Sequence, residues 1–158
     1  MVEGVVGQPV DLNPTAGPRN EIDETIESLL FRRLFKYDQL GEIVPDLAES
    51  YQVGAEGKVY EVKLRGDIFW HDGQPIGVED VAYTFSQDPI FAKVKVEAVG
   101  EGAIRFELEN PLASFPSILT LPIAPAHLPN QSEFPAVGSG DFTIKEVTQN
   151  GLITEVVL

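Results

Sequence analysis

His71 and Asp72 stand side by side immediately after Trp70, and an imidazole oriented by a carboxylate can serve as a general base. Neighbouring residues in a strand or turn point in different directions, however, and no serine occupies a strand-to-helix elbow that would make it a nucleophile. The simpler reading of His71-Asp72-Gly73-Gln74-Pro75 is a turn. Asp72 supplies the side-chain hydrogen bond, Gly73 supplies the permissive backbone, and Trp70 goes to the core.

The other reactive residue types fail on context. His71 and His127 are separated by proline-rich chain and neither has a partner ligand at helical spacing, so no metal site is expected. Gly138-Ser139-Gly140 could cradle an anion at the start of a helix, but strand-like residues follow it. Glu79-Asp80 falls where a helix should begin, and carboxylates there favour the positive end of the helix dipole. With no acid, base and nucleophile together and no cofactor motif, the residues favour binding over catalysis.

These groups are carried on 158 residues, enough for one domain that buries roughly 70% of its unfolded surface. The net charge of −14 repels a phosphate backbone and an anionic bilayer, which argues against nucleic acid as a partner. The acids are scattered, so they read as a solvated surface. There are no cysteines, hence no disulfide, thiolate chemistry or cysteine-held zinc. No apolar run reaches the ~18 residues of a membrane helix. Met1-Val2-Glu3-Gly4 lacks the basic and apolar regions of a signal peptide, so a secreted protein would have lost its leader.

The elements that must position the turn follow from periodicity. Val5 to Val10 predicts a short strand interrupted by Gly7-Gln8-Pro9. Asn20 should cap a helix carrying Ile22, Ile26, Leu29 and Leu30, with Arg32, Arg33 and Lys36 suiting its negative end. Residues 43–50 read as a loop or a single helical turn. Alternation around Gly54-Ala55-Glu56-Gly57 predicts a hairpin with one buried and one wet face, with Tyr60, Val62 and Leu64 on a single face. A helix should start near Val78, present Val78, Val81, Ala82 and Phe85 on one side, and stop at Asp88-Pro89. A second hairpin turns at Gly100-Glu101-Gly102 and should pair with the first. Residues 111–121 suggest a brief helix broken by Pro116, residues 121–135 an irregular stretch, and residues 141–158 a third hairpin about Asn150-Gly151. Ending on Val156-Val157-Leu158 suggests a sheet element cut short.

Several blocks resemble the family 5 extracellular solute-binding proteins, the group that includes dipeptide- and oligopeptide-binding proteins of ABC importers. Leu12-Asn13-Pro14 is similar to the family's N-terminal signature. Leu34 to Asp38, with Gly41-Glu42-Ile43-Val44-Pro45-Asp46-Leu47-Ala48-Glu49-Ser50-Tyr51, resembles the next block. Ile68-Phe69-Trp70-His71-Asp72-Gly73-Gln74-Pro75-Ile76 with Glu79-Asp80-Val81 resembles the most recognisable stretch, and Gly138-Ser139-Gly140-Asp141-Phe142 resembles the segment returning to the first lobe. The chain departs from the family at Gly77, where threonine is common, at Asp141, where proline is, and between Phe85 and Val94, where the family carries a longer helical stretch.

The resemblance implies an α+β fold of antiparallel β-hairpins covered by two or three helices, with residues 1–158 forming a single domain that is part of the N-terminal lobe of a two-lobed protein whose second lobe is absent. It implies a substrate-binding component of an ABC importer, capturing a peptide or similar small solute and delivering it to membrane permease subunits, and not an enzyme. The location implied is periplasmic or extracellular, with a lipid anchor as an option for the full-length protein. Ligand-facing candidates on the matching positions are Gly7, Gln8, Pro9, Val10, Ser139, Gly140 and Asp141, while Trp70, His71, Asp72 and Gly73 form a structural motif. Clefts between lobes are lined by loops and strand ends, which supports the same choice. Two rivals stand beside this reading: a sensory or protein-interaction module using the same fold, and a hydrolase centred on His71.

Overall fold

A computed structural model describes residues 13–15, 20–129, 136–144, 146–149 and 153–157. The expected first strand at Val5 to Val10 and the Asn150-Gly151 turn lie outside the described residues. Helix α1 (Glu21–Leu30) begins as its sequence dictates, since Asn20 Oδ1 accepts from the Ile22 and Asp23 amides at 2.8 and 2.9 Å while Asp23 Oδ2 accepts from the Asn20 amide. This reciprocal box satisfies amides that a helix N-terminus otherwise leaves unpaired.

The helix stops at Leu30, short of the expected end near Lys36. Phe31 is extended at φ −122° and ψ 133°, and strand β1 (Phe35–Tyr37) follows, paired antiparallel with β2 (Ile43–Pro45). The expected loop over residues 43–50 is therefore strand on both sides, because β3 (Ala48–Gly54) starts within it. Two forces override the basic residues that favoured a longer helix. The Ser139 and Gly140 amides both donate to Leu30 O at 2.7 Å, closing the helix end from a remote segment, and Leu34 and Phe35 are buried.

The centre is a four-stranded antiparallel sheet in the order β3-β4-β6-β5, built from two hairpins, β3 with β4 (Val59–Leu64) and β5 (Lys95–Val99) with β6 (Ala103–Glu107). The hairpins join through β4 and β6, with Val62 opposite Ile104 and Tyr60 opposite Phe106. Tyr60, Val62, Leu64, Ile104 and Phe106 face one side and are buried. Helix α2 (Val78–Gln87) covers that side with Val78, Val81 and Phe85. Strand β3 departs from the expected half-buried pattern, since Tyr51 and Val53 remain 45% and 51% exposed at the sheet edge.

Aromatic rings fill the space between α2, the sheet and a short helix α3 (Phe115–Ile118). Phe85 meets Phe106 edge-on with centroids 5.4 Å apart and Phe91 at 4.5 Å, while Phe115 packs on Tyr60 at 4.9 Å and on Phe106 at 5.5 Å. The Tyr60 hydroxyl donates to Leu112 O at 2.7 Å, so the polar end of this ring is also satisfied. A last hairpin pairs β7 (Glu146–Gln149) with β8 (Ile153–Val157). Among the described residues no helix is long and apolar enough to cross a membrane.

Candidate functional site

The turn after Trp70 is built by local chemistry. Asp72 Oδ1 accepts from the Gln74 amide at 3.0 Å, Gly73 adopts φ +87°, and the Gly73 amide donates to Trp70 O. A positive φ of this kind suits glycine and strains other residues. Trp70 is buried, with its indole N–H donating to Asp80 Oδ2 at 3.2 Å. Asp80 also accepts from the Gly77 amide at 2.9 Å and from the Ala126 amide at 2.8 Å. The carboxylate thus starts α2, holds the indole and anchors the segment at 126. Gly77 has no side chain with which to cap, so Asp80 carries that duty alone.

His71 and Asp72 turn to different partners. The His71 amide donates to Gly138 O at 2.8 Å and its ring Nε2 lies 3.0 Å from Gly140 O. A carbonyl can only accept, so that nitrogen carries the proton. Asp72 Oδ2 instead lies 2.7 Å from His127 Nε2. The histidine that the sequence set apart by proline-rich chain is the one that meets the carboxylate, and His127 also stands edge-on to Trp70 with ring centroids 6.3 Å apart. Partial burial pushes the Asp72 carboxyl upward, but the hydrogen bonds from His127 and the Gln74 amide, with the His127 charge, outweigh it and hold the group below its usual range.

A carboxyl depressed in the folded state stabilises the fold above its unfolded-state pKa, and that contribution is lost as pH falls through the lower folded value. The stabilisation of wild type over Asp72→Asn is therefore expected to be present at neutral pH and to vanish below the ordinary aspartate range. Melting temperatures of both proteins across acid pH check this. The difference should be small because both side chains are about one-third exposed.

The segment at 138–141 is clamped along its length. Ser139 is buried, its amide donates to Leu30 O, its hydroxyl accepts from the Arg32 amide at 3.0 Å, and its carbonyl accepts from Arg32 Nε at 3.1 Å. Arg32 then reaches Asp46 at 3.0 Å through one terminal nitrogen and Asp141 at 2.8 Å through the other. Of the three candidates here, Ser139 and Gly140 lie in this framework, while Asp141 keeps 81% of its side chain exposed. Gly7, Gln8, Pro9 and Val10 lie outside the described residues. An open depression of about 100 Å³ is lined by Arg32, Lys36, Asp46, Gly140 and Asp141 among others. Arg32 is the residue that sequence reasoning assigned wrongly, to a helix end. Its role could be recognised only once Ser139 and Asp46 were seen beside it.

The two glycines flanking Ser139 are demanded by close approach to α1. A Cβ on Gly140 would collide with Leu29 O and sit 2.8 Å from the Leu30 carbonyl carbon, and one on Gly138 would collide with Leu30 O. Those obstacles are backbone and cannot rotate away. Gly140→Ala is expected to lower stability by about 1–3 kcal/mol, as measured by urea unfolding, whereas Gly66→Ala, which meets nothing within 4 Å, should change little.

Among the described residues no group of three His, Cys, Asp or Glu side chains could hold a metal. Residues 42–157 match the model of the bacterial extracellular solute-binding proteins, family 5, middle region. The oligopeptide-binding protein AppA of Bacillus subtilis is 26% identical over 97% of this chain and 32% of its own length, and its structure with a nonapeptide superposes with a TM-score of 0.82 over 94% of this chain and 34% of that one. The glutathione-binding protein GsiB of Pectobacterium atrosepticum is 26% identical over 78% of this chain and 27% of its own length. The binding protein AgaA of A. tumefaciens R10, solved with agropinic acid, is 25% identical with a TM-score of 0.79 over 90% of this chain and 32% of that one. The chain thus spans about a third of these relatives, which are named for what they bind and not for a reaction. By the match over residues 42–157 and the shared fold, the chain belongs to the bacterial extracellular solute-binding proteins of family 5.

Proposed function

We propose that this chain is the N-terminal lobe portion, residues 1–158, of the substrate-binding component of an ABC importer, and that it forms one wall of a cleft for a peptide outside the cytoplasmic membrane. The observation that carries the reading is the family match joined to the rigid presentation of residues 139–141. Ser139 and Gly140 are pinned to α1 and His71, so Asp141 stands on a fixed rim with its carboxylate open to solvent. A rim held in place before binding loses less freedom when a ligand arrives. Gly7, Gln8, Pro9 and Val10 would lie on the same wall, the second lobe would supply the opposite one, and closure about a hinge would present the loaded protein to the permease subunits.

Calorimetry of the two-lobed protein against a peptide library tests this reading. Peptide binding is expected, with Asp141→Ala weakening it at least about tenfold, a loss of roughly 1.4 kcal/mol. No heat with any peptide overturns the peptide reading, and unchanged affinity in Asp141→Ala removes residue 141 from the cleft. The lobe portion by itself should bind weakly or not at all, because a ligand gripped by two lobes loses half its contacts.

A further inference from the structure

We propose that strand β5 is a pairing edge for a second copy of this chain, in an antiparallel register centred on Val96. β5 closes the strand order β3-β4-β6-β5, so among the described residues one row of its backbone N–H and C=O groups faces no further strand. Such an edge is a template for another strand unless it is blunted. The opposite edge, β3, is interrupted by a register shift between Ala48 and Ser50. β5 runs without a bulge from Lys95 to Val99.

Charge selects the occupant. On the outer face of the sheet Glu61, Arg105 and Glu97 stand opposite one another across β4, β6 and β5, and Arg105 bonds Glu61 at 2.9 Å. In the next row Glu107 stands opposite Lys95. Signs alternate along both rows, so a further strand should bring a cation opposite Glu97 and an anion opposite Lys95. Lys95 and Glu97 bond each other along their own strand at 2.9 Å. A second β5 related by a two-fold axis through Val96 would bring Lys95 of each copy to Glu97 of the other, joining the two pairs into one network of alternating charge. Centring the axis on Lys95 or Glu97 would set like charges face to face.

The same register matches the inner face. Val96 meets its own copy and Val94 meets Ala98. Beside them lies an open groove of about 550 Å³ between α2 and β5, lined by Phe85, Phe91, Val94 and Val96 among others, and Ile90 nearby is 66% exposed. Two-fold pairing would run the two grooves together, as an interface built from one patch used twice requires. The patch is small, so association should be weak, with a dissociation constant of about 10 μM to 1 mM. The net charge of −14 on each copy opposes contact, and about 0.15 M salt is needed to screen that repulsion.

Sedimentation of the chain at that salt, over concentrations bracketing the expected constant, tests the proposal with two variants. Lys95→Glu places acids against acids and Glu97→Lys places bases against bases, so each by itself should associate at least tenfold more weakly than wild type. Mixed in equal amounts, the two variants should form a heterodimer, because each supplies the charges the other lacks. Both side chains are about half exposed or more, so folding should survive, and melting curves check it. A wild-type chain that stays monomeric, single variants that associate as well as wild type, or a mixture that fails to pair would each overturn the proposal.

Discussion

Phe106→Ala is expected to cost about 3–5 kcal/mol of folding stability, the range for removing a fully buried aromatic side chain. Phe106 is 0% exposed and touches the rings of Phe85 and Phe115 edge-on, so truncation leaves a hole bounded by two rigid side chains that belong to different elements. Neither can swing in without abandoning its own contacts. Native domains are stable by only about 5–15 kcal/mol, so this loss should leave a substantial unfolded fraction at modest denaturant. Urea unfolding followed by circular dichroism measures it. Leu40→Ala, at a position 84% exposed, should stay within about 0.5 kcal/mol of wild type. Equal effects at the two positions would mean that the aromatic cluster is not the core.

Asp80→Ala should cost about 3 kcal/mol, since three donors lose one acceptor and the buried indole N–H is left without a partner. The expected damage is also local and visible. Trp70 is the single tryptophan, so loosening of its pocket should shift its emission to longer wavelength before global unfolding begins. Glu79→Ala, one residue away on the exposed side of α2, should change neither stability nor emission appreciably. If Asp80→Ala matched Glu79→Ala, the carboxylate would be a surface charge and not the joint between the turn, α2 and the segment at 126.

The Asp80 prediction bears also on residues 138–141. The Trp70 turn holds the segment at 126 through Asp80 and through Asp72 with His127, and it holds the segment at 138–141 through His71. Loss of the frame should therefore free residues 138–141 from their fixed position, and under the proposed function it should weaken ligand binding as well.

Local chemistry made much of this legible in the sequence. Asn20 with Asp23 three residues on marked the start of α1, Asp72-Gly73 marked the turn, and two-residue alternation on either side of glycine-rich loops marked both hairpins of the central sheet. Each of these depends on contacts within a few residues, and such contacts are written in spacing. The end of α1 was misplaced for the opposite reason. Arg32, Arg33 and Lys36 suit a helix C-terminus by charge, yet the carbonyl of Leu30 is closed by Ser139 and Gly140 and the Arg32 amide is bound by a hydroxyl 107 residues away.

The family motifs in the sequence pointed to the broad fold. Which groups meet was decided by tertiary structure: His127 with Asp72, Arg32 with Asp46 and Asp141, and Asp80 with Trp70 and Ala126. A hydrogen bond needs two groups within about 3 Å, and for partners far apart in the chain only the packing of the apolar core sets that distance.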